Sequence, residues 1–183
     1  RAVRERTRFY TEFRIPRPDG SYGWVADYGR FEFAADGTPR RMIGIVQDIA
    51  EQRRLLASSD QKVYSEAVVP LLSERMFKRV VARAAPDAGV LRAAGRAVEG
   101  HLDYFDYLLE RRRWLSGPAF GMADIAAAAH ISVADYLGGI DWDGHDSTRQ
   151  WYSALKSRPT FRPMLGEKME GLPPPPHYDK LDF

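Results

Sequence analysis

Cysteine is absent from this chain of 183 residues, which excludes disulfides, a thiolate nucleophile and cysteine-ligated zinc. It also fits a reducing compartment, so a cytoplasmic protein is expected. Histidine is scarce. His101, His130, His145 and His177 are the whole set, and no two stand at the i, i+4 spacing of a helical metal site. There is no glycine-rich phosphate loop and no Gly-x-Ser-x-Gly elbow, and no Ser/His/Asp set can be assigned; Gly138-Gly139 reads as a helix stop. No apolar run nears the ~20 residues of a membrane helix, and no signal peptide is visible. Charge is not of one sign: 27 Lys and Arg face 25 Asp and Glu, for a net +2. That balance excludes a polybasic nucleic-acid surface, so neither nucleic acid nor membrane is expected as a partner.

What is present changes character near residue 54. Phe9, Thr11, Phe13 and Ile15 alternate over a strand length, and Pro18-Asp19-Gly20-Ser21 then makes a turn. Residues 22–33 form a second β-rich run, Asp36-Gly37 a hairpin signal, and residues 42–49 a third run. Three strands joined by short turns predict an antiparallel meander. Trp24, Tyr28 and Phe31 are read as its packing, and a sheet this small needs its apolar face covered, if only by self-association. Asp48 is a candidate N-cap, with Glu51 three residues on. The arginine-rich start, residues 1–8, reads as a solvated helix or a disordered segment.

The runs "EFRIPRPDGSYGWV" and "ADGTPRRMIGIVQDIAEQRR" resemble the C-terminal half, the PAC motif, of a PAS sensor domain. The resemblance covers residues 9–53, with Ala50 where the family carries Thr. It implies a partial sheet without the earlier strands and helices that build a ligand cavity, so heme or flavin sensing is not expected.

From Asp60 the period becomes helical. Tyr64, Val68, Leu71, Leu72, Phe77 and Val80 mark a first helix with Pro70 at a kink. Ala85-Pro86-Asp87 is a loop and helix start. Leu91, Ala94, Val98, Leu102, Phe105 and Leu109 then make an apolar stripe. A further helix follows Phe120-Gly121, with Gly121 as N-cap, Asp124 reaching back to the helix start, and Ile125, Ala128, Val133 and Leu137 as its buried side. A last helix carries Trp151 and Leu155. Asp141, Asp143, His145 and Asp146 in "DWDGHD" read as a solvated turn capping that helix rather than a cation site.

"RRRWLSGPAFGMADIAAAAHISV" and "WYSALKSRPTFRPML" resemble the helical domain of glutathione transferases. The resemblance implies an all-α bundle over residues 54–170 in which Gly121 and Asp124 are structural capping residues. It implies no activity by itself, because glutathione and its activating residue belong to a thioredoxin-like domain that residues 1–53 do not resemble. No catalytic, cofactor or metal residue is therefore assigned, and glutathione is expected to bind only if that domain is supplied.

The last segment, residues 171–183, combines Pro173-Pro174-Pro175-Pro176 with His177-Tyr178-Asp179-Lys180-Leu181-Asp182-Phe183. From the residues alone it is either a docking peptide on a stiff spacer or a tail that wraps onto its own bundle. "VYSEAVVPLLSERMFKRVVARAAPDAGVLRAAG", "HLDYFDYLLERRRWLSG" and "PPPPHYDKLDF" further resemble a glutathione-transferase-like family of alphaproteobacterial cell-division proteins. That family forms dimers and binds FtsZ filaments. By position, the resemblance implies FtsZ contact through Lys180, Leu181, Asp182 and Phe183. The expectation is an α+β chain, homo-oligomeric, acting as a non-catalytic FtsZ adaptor. The alternatives are an inactive transferase fragment and a PAS-type signalling fragment.

Overall fold

The computed structural model describes residues 8–181; the arginine-rich residues 1–7 lie outside it. Contacts divide the chain into two units at Arg53/Arg54.

The first unit is a three-stranded antiparallel sheet in the order β1 (Arg8–Pro16), β2 (Tyr22–Phe33), β3 (Pro39–Asp48). Its two turns use one device twice. Asp19 Oδ1 accepts the Ser21 N–H at 2.9 Å and its hydroxyl at 2.7 Å, and Asp36 Oδ1 does the same for Thr38 at 2.9 and 2.7 Å. In each, the intervening glycine takes a positive φ, +83° at Gly20 and +84° at Gly37, which side chains with a Cβ resist. Register then follows from the short connections: Tyr10 lies opposite Tyr28, and Tyr28 opposite Ile45. Tyr10 and Tyr28 pack at 4.8 Å and Phe9 and Phe31 at 5.6 Å between ring centroids. Gly29 makes room for Phe9, whose ring would lie 2.4 Å from a Cβ there. The Asp48 carboxylate accepts the Ala50 N–H at 2.8 Å, starting helix α1 (Ala50–Ser58). The Arg53 guanidinium lies 3.9 Å from the Trp24 ring and pairs with Glu12.

The second unit is helical. After α1 the chain continues as π1 (Ser59–Val68), α2 (Val69–Leu71) and π2 (Leu72–Ala82). The buried positions on π1 and α2 are Val63, Ala67, Val68 and Leu71. Tyr64, Phe77 and Val80, expected on the buried stripe, are exposed. The wider i to i+5 winding puts more than 3.6 residues in each turn, so each residue rotates less and a stripe counted at 3.6 drifts off the buried face.

Helix α3 (Ala88–Leu109) starts where Asp87 accepts the N–H groups of Gly89 and Val90 at 2.7 and 3.1 Å. The same hydrogen bonds hold the Asp87 carboxyl below its usual range. Ala94, Val98, Leu102, Phe105 and Leu108 form its buried stripe. Burying Leu102 completely is worth roughly 1.5–3 kcal/mol. Helix α4 (Met122–Tyr136) buries Ala123, Ala127, Ala128 and Ile131, a run of mostly small residues that lets π1 approach closely. Ile125, expected inside, is 47% exposed, because the buried face of α4 runs through Ala123, Ala127 and Ile131 instead. Gly138, at φ +65°, ends α4. Helices α5 (Asp146–Lys156) and α6 (Arg162–Gly166) complete the bundle. No helix among the described residues is long and apolar enough to cross a membrane.

Candidate functional site at the C-terminal tail

Two polar nodes organise the helical unit, and a third seats the tail. The first is Asp124, fully buried on the first turn of α4. Its carboxylate accepts the N–H of Leu115 at 2.8 Å, of Ser116 at 3.2 Å, of Gly121 at 3.1 Å, and the Trp151 indole N–H at 2.9 Å. It therefore ties the loop before α4 and the middle of α5 to one helix start. Gly121 occupies the cap position with extended φ −152°.

The second node lies in "DWDGHD", where Asp141, Asp143 and Asp146 are exposed as expected of a solvated turn but His145 is not. His145 is buried, with Nδ1 2.6 Å from Asp106 Oδ2 and Nε2 3.0 Å from Glu99 Oε2. Asp106 Oδ1 also accepts the Thr148 N–H at 2.7 Å and hydroxyl at 2.9 Å, so a residue of α3 caps α5. Burial opposes charge on His145, but the two carboxylates outweigh it and hold its pKa above the ordinary value. Among the described residues no group of three or more His, Cys, Asp or Glu is placed to hold a metal ion.

The third node is the tail. Ser132, Asp135 and Tyr136 stand at i, i+3 and i+4 on α4, on one face. The Tyr136 hydroxyl accepts the Met169 N–H at 2.7 Å and donates to the Leu172 carbonyl at 2.8 Å. The Ser132 and Tyr178 hydroxyls are 2.9 Å apart, and the Tyr178 ring stands edge-on to Tyr136 at 5.1 Å. Asp135 Oδ1 accepts the Trp142 indole N–H at 3.1 Å and meets His177 Nε2 at 2.8 Å. Lys156, fully buried on α5, donates to the His177 carbonyl at 3.4 Å. Burial pushes the Lys156 ammonium down and the Tyr178 phenol up. Lys168 meets Asp179 at 3.3 Å and holds its carboxyl below the usual range.

The tail thus folds back onto the bundle rather than standing off on a straight spacer. Pro173–Pro175 run against α4 and form one wall of a cleft of about 420 Å³ whose other side carries Arg75 and Arg79. Arg75 donates to the Leu137 carbonyl at 2.6 Å and to that of Gly138, covering the end of α4. From Pro176 the chain turns, with the Tyr178 N–H on the Pro175 carbonyl at 3.0 Å and the Lys180 N–H on the His177 carbonyl at 3.1 Å. Lys180 is exposed, and Leu181 is half-buried against the core. Asp182 and Phe183 lie outside the described residues. Sequence reading passed over Ser132, Asp135, Tyr136 and Lys156. Their signal was polar residues at helical spacing on an otherwise apolar helix, matched by His177-Tyr178 in the tail.

Likeness over most of a solved transferase gives the class: the chain belongs to the glutathione S-transferase-like family. A glutathione S-transferase structure from Rhodospirillum rubrum superposes with a TM-score of 0.70 at 36% identity, covering 92% of this chain and 81% of that one. Within the class, the chain is 47% identical over 134 residues to FtsZ-localized protein A of Caulobacter vibrioides, 73% of this chain and 59% of that relative's length. The structure of FzlA from C. crescentus superposes with a TM-score of 0.70 at 36% identity, covering 92% of this chain and 80% of that one. Residues 1–46 match the family model of the PAS fold.

Proposed function

We propose that this chain is a non-catalytic adaptor of the glutathione S-transferase fold that binds the FtsZ filament on the cytoplasmic side of the division site. The observation that carries this reading is the 47% identity over 134 residues to FtsZ-localized protein A. Lys180, Leu181, Asp182 and Phe183 are its docking motif. Lys180 is exposed, and Leu181 follows directly from the seated part of the tail. The chain works as a homo-oligomer. The three-stranded sheet is the PAC half of a PAS fold, supported by the family match over residues 1–46.

A second reading, a transferase fragment that binds glutathione only when a thioredoxin-like domain is supplied, is favoured by the likeness to the Rhodospirillum rubrum protein. Co-sedimentation with FtsZ assembled on GTP separates the two. The adaptor pellets saturably with filaments and is not retained on immobilised glutathione. A folded, helical chain that stays in the supernatant at every filament concentration refutes the adaptor.

A further inference from the structure

The tail is pinned shortly before its docking motif. Leu172 is buried with its carbonyl on the Tyr136 hydroxyl, and Tyr178 is 4% exposed with its hydroxyl on Ser132. Between these points four prolines fix φ, leaving the segment few conformations to lose. His177 adds a hydrogen-bond contact from Nε2 to Asp135 Oδ1 at 2.8 Å, and its carbonyl accepts from the buried Lys156. Two turn hydrogen bonds, from the Tyr178 and Lys180 N–H groups, then direct the chain into Lys180. Apart from the Lys180 N–H, every one of these contacts is made by tail residues outside the proposed motif.

We infer that Tyr178 and His177 are positioning residues for docking: they latch the tail so that Lys180 and Leu181 meet a partner in one orientation. This rests on the docking reading above. A motif held in its bound orientation loses less conformational freedom on association than a loose peptide, and the latch supplies that difference. Tyr178 is the larger part, because its ring fills the face between Ser132 and Tyr136. His177 sits at the rim, where its ring reaches Asp135.

The test combines amide exchange with FtsZ co-sedimentation for the full chain and for Tyr178→Ala, Tyr178→Phe and Ser132→Ala. In the full chain the Tyr178 and Lys180 amides are expected to be protected by their turn hydrogen bonds. Tyr178→Ala is expected to release both amides while α4 amides stay protected, and to weaken pelleting about tenfold or more. Tyr178→Phe and Ser132→Ala keep the ring packing and lose one hydrogen bond, so each is expected to weaken pelleting about threefold. If Tyr178→Ala also exposes α4, the two conservative variants decide. Pelleting of the full chain with undiminished pelleting of the variants overturns the positioning role and leaves the docking reading standing. A full chain that does not pellet at all overturns both.

Discussion

Asp124 shows how much one side chain can organise. Four donors from three segments converge on a carboxylate with no exposure, so removing it leaves buried N–H groups without an acceptor. Asp124→Ala is expected to destabilise the helical unit by about 3 kcal/mol or more, read from urea unfolding. Gly121 illustrates the opposite point. Cap preference alone says that serine there gains a few tenths of a kcal/mol. In the structure a Cβ at Gly121 would lie 2.7 Å from the Ser116 hydroxyl and 2.9 Å from its Cβ, and Ser116 is buried. Gly121→Ser should therefore destabilise, by roughly 1–3 kcal/mol, and an unfolding midpoint at or above that of the native chain would contradict this packing account.

His145 gives a pH dependence. Its folded pKa is raised above the ordinary 6.5, so the fold binds that proton more tightly than the unfolded chain does. The contribution is complete below 6.5 and is lost as pH climbs through the higher folded value. The urea midpoint should accordingly fall as pH rises through that window, and His145→Gln should flatten the fall.

At the scale of elements, helix starts were the most legible feature. Asp87 was readable because a short polar side chain before an apolar-periodic run has few other uses. Asp87→Ala should cost about 1 kcal/mol, measured by chemical denaturation. The meander was readable for a similar reason, since Asp-Gly-Ser and Asp-Gly-Thr close turns by local hydrogen bonds that need no tertiary context. The first long helical stretch was readable as a helix but not in its facing. Which face it buries depends on where π1 packs against α3 and α4, which no local pattern encodes. The cap of α5 was illegible too, because Asp106 acts on Thr148 from 42 residues away. The tail stood out by composition, whereas its seat on Ser132, Asp135 and Tyr136 required the fold.

At the scale of the molecule, the helical core from Leu55 to Tyr178 is built wholly from the second unit. Residues 54–183 produced alone should therefore keep the bundle's cooperative thermal transition, followed by circular dichroism at 222 nm; a chain that stays unfolded would show that the core needs the sheet. Many large apolar side chains of the sheet, including Tyr10, Met42, Ile45 and Val46, are at least half exposed. This supports the proposed self-association, and a strictly monomeric mass by light scattering at high concentration would count against it.

The central claim is that the helical unit carries its tail to the FtsZ filament. Its most direct test is a co-sedimentation titration with GTP-assembled FtsZ, comparing the full chain with one ending at Asp179. The truncation leaves Tyr178 and its seat in place and removes only Lys180 to Phe183. The account predicts saturable pelleting of the full chain and its loss on truncation; equal pelleting of the two chains would contradict it.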